Sequence, residues 1–255
     1  MKKIYALFIV VVLVFSVYLS NAQSNEKTRY MVWEVQLSPE QLTNAISAIT
    51  AENAFFKEMK HPGTNITQYT NDGYMWYSVP FSKYADLDEM ESRMRKMWQD
   101  NPEKSKEIQK MFDKSYTTVG RIILESLPEL SIQGEQLQGT PTGTKFRYFE
   151  KFYLKPGAGE KFQEVTKKYV ELRKKHGIKY GFYTYYPVFA QDMDVVYFID
   201  DTGNSPAEHF TLNEEQWKKF GDEGEKLWQQ VVPLVRKIET HIGQINYDLM
   251  YVGSN

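Results

Sequence analysis

The chain contains no cysteine. That excludes disulfides, thiolate metal sites, cysteine nucleophiles and a lipid-modified cysteine behind a leader, so the fold rests on its core alone. Histidine is scarce, at four residues, and no His-x-x-x-His or comparable spacing for a metal occurs. Charge of one sign is not in excess. The 31 basic and 33 acidic residues are mixed along the chain and leave a formal net charge of -2, so there is no electrostatic footprint for nucleic acid or an anionic membrane. Also missing are a Gly-x-Ser-x-Gly elbow, a phosphate-binding glycine loop ending in Lys-Ser/Thr, a dinucleotide fingerprint and the spacing of a calcium loop. Nothing here calls for a metal, and no cofactor motif is present.

The one long apolar run, Ile4 to Phe15, stands at the N-terminus behind Met1-Lys2-Lys3 and ahead of Ser20-Asn21-Ala22-Gln23. A positive start, a short apolar core and a small-residue exit make a secretory signal peptide over residues 1–22, cut between Ala22 and Gln23. An uncleaved anchor is the competing reading, but a spanning helix needs about 20 apolar residues. The expectation is an exported protein, periplasmic or secreted, with no membrane attachment after cleavage.

Aromatic residues are plentiful. They make up 15% of the chain, with 18 tyrosines and 15 phenylalanines, enough rings for large packed surfaces and for lining a pocket.

At Lys145 to Gly159 (KFRYFEKFYLKPGAG) the sequence starts over. Arg147-Tyr148 opens an apolar run ending at Leu154-Lys155-Pro156, as Arg29-Tyr30 opens one ending at Leu37-Ser38-Pro39. Two copies follow, residues 23–130 and 145–255, joined by a linker, 131–144, rich in glycine and without periodicity.

In the first copy, Tyr30 to Leu37 alternates, with Met31, Trp33, Val35 and Leu37 on one face and Tyr30, Val32, Glu34 and Gln36 on the other, the period of a strand. A helix begins at Pro39 behind Ser38 as N-cap and stops at His61-Pro62-Gly63. Asn71-Asp72-Gly73 turns a hairpin. A second helical region is interrupted at Asn101-Pro102, and a short strand follows, Arg121 to Leu124. The second copy repeats this order, with a strand Lys179 to Tyr186, a strand Val195 to Asp200, a helical region from about Ser205 to Thr240 and a closing strand Ile245 to Tyr251. Each copy reads β-α-β-β-α-β, the split βαβ or ferredoxin-like unit.

Lys179 to Tyr186 carries Tyr180, Phe182 and Tyr186 on one face and Tyr183 and Tyr185 on the other. A sheet apolar on both faces must be covered on both. Helices of the same copy cover one, and the partner sheet covers the other. The fold class expected is α+β: two tandem ferredoxin-like units packed sheet to sheet as an intrachain α/β barrel, either a monomer or a dimer through its helices.

In this element order the chain resembles the dimeric α/β barrel superfamily, whose members include antibiotic-biosynthesis-type monooxygenases and haem-binding chlorite dismutase-like proteins. The resemblance implies that fold with both halves in one chain, and it implies no particular activity.

Aligning Leu37 with Leu154 places Glu34 and Lys151 at equivalent positions, where they could meet inside the barrel as acid/base groups or ligand anchors, or form an ion pair between the copies. Tyr153, Tyr183 and Tyr185 could line the same space or be plain core. His61 and His176 close the first helix of each copy, as helix caps or as a pair of ligands brought together by the pseudo-twofold. A haem reading would use His209 or His241 of the second copy. Three functions stay open: binding of a small apolar or aromatic ligand, or of a protein partner, without catalysis; a cofactor-free oxygenase or isomerase with an aromatic cavity; and haem binding.

Overall fold

A computed structural model describes residues 27–113, 115–116, 118–134 and 142–253. The expected leader, 1–22, and residues 135–141 of the expected linker lie outside the described residues. The first unit runs β1 (Arg29–Gln36), α1 (Pro39–Glu58), β2 (Thr64–Thr70), β3 (Tyr74–Phe81), α2 (Tyr84–Asp100), α3 (Pro102–Phe112) and β4 (Thr118–Ser126). The second runs β5 (Thr144–Leu154), α4 (Gly159–Lys175), β6 (Phe182–Phe189), β7 (Val195–Asp200), α5 (Pro206–Val231) and β8 (Val235–Asn246), with a short β9 (Tyr251–Val252) behind it.

Local chemistry sets these elements. Ser38 and Gln41 cap α1 reciprocally: the Ser38 N–H donates to Gln41 Oε1 at 2.7 Å and the Gln41 N–H to Ser38 Oγ at 3.4 Å, an arrangement worth about 1 kcal/mol. Pro102 opens α3 and separates it from α2. In the β2–β3 hairpin Gly73 has φ +91°, and a Cβ there would stand 2.3 Å from Leu37 O. The Leu37 N–H donates to Gly73 O at 2.7 Å, so the end of β1 is tied to the turn.

All strand pairings are antiparallel. The order is β4-β1-β3-β2 in the first unit and β8-β5-β7-β6 in the second, the same permutation twice. The units also join edge to edge, β4 to β6 with Leu124 opposite Pro187, and β2 to β8 with Tyr69 opposite Gln244. Eight strands therefore close into a barrel whose main sheet has no free edge. At the β2–β8 seam a Cβ on Gly243 would meet Tyr69 O at 2.3 Å, so glycine is what lets these two strands approach.

The strand alternation sorts residues as expected. Val32, Trp76, Ile122, Leu124 and Phe149 form the barrel interior with Tyr30, Tyr185 and Tyr197. Val35, Leu37 and Met75 face outward onto Ala45 and Ile49 of α1, while Phe152, Phe182 and Phe198 face outward onto Phe162 of α4 and Phe220 of α5. The two-sided β6 is the case that demanded closure: Phe182 belongs to the helix-side core and Tyr185 to the interior.

Several expectations change: β6 spans Phe182–Phe189 rather than Lys179 to Tyr186, leaving Tyr180 exposed outside it, and the closing strand ends at Asn246 before a 3-10 turn rather than running to Tyr251. The helical region expected to reach Thr240 ends at Val231, and β8 begins at Val235. Pro233 supplies no N–H to continue the helix, and Val235, Ile238, Thr240 and Ile242 are β-branched residues that extend beside β5, with Ile238 opposite Phe152. Likewise β4 is longer than Arg121 to Leu124, spanning Thr118–Ser126, because it pairs with β1 along its whole length and with β6 at its end. The start of the expected linker is also built in: Ile132 exchanges backbone hydrogen bonds of 2.7 and 2.9 Å with Phe182, and Ser131 Oγ accepts from the Thr184 N–H.

Candidate functional site

Inside the barrel, Glu34 of β1 and Lys151 of β5 meet. Lys151 Nζ lies 2.6 Å from Glu34 Oε2, which also accepts from Trp76 Nε1 at 2.6 Å. The ammonium stands 5.3 to 5.6 Å from the ring centres of Tyr74, Trp76 and Tyr197, so rings and one carboxylate stabilise the buried charge together. Tyr153 donates to Glu239 Oε2 at 2.7 Å. Burial and then that carboxylate raise the phenol's pKa. Tyr183 and Tyr185 line an interior cavity of about 260 Å³ beside Lys151.

His176 does not join them. It ends α4, lies edge-on to Phe220, and belongs to the helix side of the second unit. His61, at the end of α1, packs on Phe56 of the first unit and on Tyr251 of β9. Each histidine serves its own helix end, so the pseudo-twofold does not bring the two together.

The haem reading can be tested on its own residues. His209 Nε2 is buried without a hydrogen-bond partner while its Nδ1 faces Thr202 O at 3.1 Å. The cavity it lines is about 160 Å³, filled around by Phe162, Trp217 and Phe198. His241 is held by Asp72 at 2.6 Å and packs against Tyr74, at the end of the barrel that the Lys151 pair occupies. Pockets for drug-sized ligands run to roughly 300–1,000 Å³, and haem is larger than most of these ligands. The space around His209 does not fit it; His241, whose Nε2 is likewise buried without a partner, lines none of these cavities. Among the described residues no group of three or more acidic, histidine or cysteine side chains could hold a metal ion.

A larger cavity lies elsewhere, between the outer face of the first sheet and α1, α2 and α3. Its volume is about 490 Å³, and Met31, Trp33, Met75, Met90, Met94 and Phe112 are among its walls. Two carboxyls line it: Glu91 of α2, which is exposed and paired with Arg95, and the more enclosed Glu52 of α1. The Tyr77 hydroxyl donates to Glu52 Oε2 at 3.1 Å and is itself held by Asn65 Nδ2 at 2.8 Å. Asn65 also donates to Asn53 Oδ1 at 2.8 Å, and the Asn53 amide donates to Leu249 O at 2.9 Å. Burial pushes the Glu52 carboxyl up to about 7, against the lowering effect of the Tyr77 hydrogen bond.

Comparison of the two copies explains the hollow. At the offset that aligns Leu37 with Leu154, Ala45, Ala48, Ile49 and Glu52 of α1 stand where Phe162, Val165, Thr166 and Tyr169 stand on α4. Phe162 and Val165 are fully packed in the second core. Their alanine counterparts leave space, and polarisable methionines, which adapt to irregular surfaces, line it. Sequence reasoning passed over Glu52, yet a signal was there. It falls three residues after Ile49 and four before Phe56, on the apolar stripe of α1, where a carboxylate is out of place.

No family model matches the sequence, and no curated protein matches it. Solved structures do match. A proposed monooxygenase from Lactobacillus acidophilus NCFM is 10% identical and superposes with a TM-score of 0.55 over 90% of this chain and 98% of its own. An anthrone oxidase-like protein is 13% identical, with a TM-score of 0.57 over 88% of this chain and 92% of its own. A proposed monooxygenase from Fusobacterium nucleatum is 12% identical, with a TM-score of 0.54 over 86% and 92%. The fold, two ferredoxin-like units closed into one barrel, resembles that of the dimeric α/β barrel superfamily. At such identities the likeness concerns architecture, and the dimeric α/β barrel carries many functions.

Proposed function

We propose that this dimeric α/β barrel chain binds a small, largely apolar aromatic molecule in the cleft between its first sheet and α1 to α3. The observation that carries the reading is the pairing of a 490 Å³ cavity, walled by methionine and aromatic side chains, with one enclosed carboxyl, Glu52, whose pKa is raised to about 7, the other lining carboxyl, Glu91, being exposed and paired with Arg95. An apolar pocket with one convergent polar group is the usual form of a small-molecule site. A carboxyl poised near neutrality can both donate a hydrogen bond to a ligand oxygen and exchange a proton with it. That favours a second reading in which Glu52 takes a proton from an acidic carbon of the ligand. The names of the structural neighbours, monooxygenases and an anthrone oxidase-like protein, point the same way. Export through the N-terminal segment belongs to this proposal, as does a monomeric state, since one chain supplies all eight strands of the barrel.

The test uses anthrone, a neutral three-ring ketone, titrated into the unmodified protein and into Ala45→Phe, which restores the bulk of the second copy. Saturable binding that Ala45→Phe weakens at least tenfold supports the site. Binding that is absent, or unchanged in the variant, ends it. The absorbance of the oxidised quinone under air then separates binding from turnover: oxidation lost in Glu52→Gln assigns the proton transfer.

A further inference from the structure

We propose that the barrel interior is a second, separate binding site, for a small aromatic anion whose carboxylate sits at Arg147. Arg147 lines the 260 Å³ interior cavity and is only 8% exposed. Its Nε–H is buried with no hydrogen-bond partner, although buried donors are almost always paired. Its other contacts are Asp201, at 3.5 Å, and the Tyr247 side chain.

Charge points to the sign of the ligand. Lys145 Nζ lies 2.9 Å from the same Asp201 Oδ2 that Arg147 approaches, so two cations share one carboxylate and one positive charge is left over. At the other end of the cavity Lys151 is matched by Glu34, and the remaining lining carboxyl, Glu150, is raised to about 7 by burial and by Asp200, which pairs with Arg173. A guanidinium is shaped for a carboxylate, to which it offers parallel N–H donors.

The walls define the rest of the molecule. Trp76, Phe149 and Tyr185 present rings, and Arg147 itself stands 5.3 Å over the ring of Tyr183. An apolar cavity of about 150 Å³ takes benzene, so 260 Å³ suits one ring with a short acidic arm. At Gly181 a Cβ would stand 2.3 Å from Asp201 Oδ1, so glycine is what lets the Asp201 carboxylate lie where Arg147 and Lys145 share it.

The experiment is isothermal titration calorimetry with 4-hydroxyphenylacetate and its neutral counterpart 4-hydroxyphenethyl alcohol. The expected result is one saturable site that binds the acid at least tenfold tighter than the alcohol. Arg147→Met should abolish that preference, and Ala45→Phe should leave it intact. Equal affinity for acid and alcohol, or no saturable heat with the acid, overturns the proposal. So does loss of acid binding in Ala45→Phe, which would place the acid in the helix-side cleft. Should Arg147→Met fail to fold, the comparison of acid with alcohol on the unmodified chain decides alone. Because a different variant disables each site, the interior site can fail while the cleft stands, or the reverse.

Discussion

Replacing Glu52 by glutamine should change how stability depends on pH. The Glu52 carboxyl is raised from 4.5 to about 7 in the folded protein, chiefly by burial. Between those values the folded state holds a proton that the unfolded chain has released. Stability therefore falls as pH rises through this window, and the full penalty is present above pH 7. The shift of two to three units corresponds to about 3 kcal/mol. Glutamine has no charge to bury, and its side-chain oxygen can still accept from Tyr77. Glu52→Gln should thus match the unmodified protein at pH 4.5 and exceed it by about 3 kcal/mol at pH 8. In a domain of this size that is a rise in Tm of roughly 6–12 °C. Glu150, also raised to about 7 by burial and by Asp200, keeps part of the slope in both proteins, so the difference between the two profiles is the quantity to read. Urea denaturation followed by circular dichroism at pH 4.5, 6, 7 and 8 gives it directly. Parallel profiles for the two proteins would refute the claim that a buried carboxyl faces the cleft.

The interior ion pair predicts strong coupling. Glu34→Leu strands the Lys151 charge, which is 6% exposed, and should cost about 3–5 kcal/mol, while Glu34→Leu with Lys151→Met recovers most of the loss in a double-mutant cycle. Arg173 is fully buried and donates to Asp200 at 3.0 Å and to Tyr180 O at 3.2 Å, so Arg173→Met should lower stability by about 3–5 kcal/mol in the same assay. Gly243→Ala should weaken the β2–β8 seam, read as faster amide exchange at Asn71, whose N–H donates to Ile242 O at 2.8 Å, while the β1–β3 pairing stays protected.

The sequence carried the architecture because strand alternation reports burial. The even residues of β1 pointed to one surface and the odd residues to another, and the rings on both faces of β6 required a cover for each. The meeting of Glu34 with Lys151 followed from the duplication, since equivalent positions on first strands converge across a pseudo-twofold. What stayed hidden depends on several elements at once. The cleft exists because Ala45 and Ala48 lack the bulk of Phe162 and Val165, and a missing side chain leaves no periodic signal. The excess charge at Arg147 needs Lys145 and Asp201, which are far apart in the chain and meet only across β5 and β7. The early start of β8 was obscured because Leu234, Val235 and Ile238 fit helical spacing as well as strand pairing.

The most direct measurement is the methyl spectrum of methionine-labelled protein during titration with anthrone. Met31, Met75, Met90 and Met94 all line the cleft, whereas Met193 is exposed elsewhere. The four cleft methyl signals should shift together along one binding curve while Met193 stays still. Shifts scattered over the surface methionines, or none in the cleft, would contradict a ligand site between the first sheet and its helices.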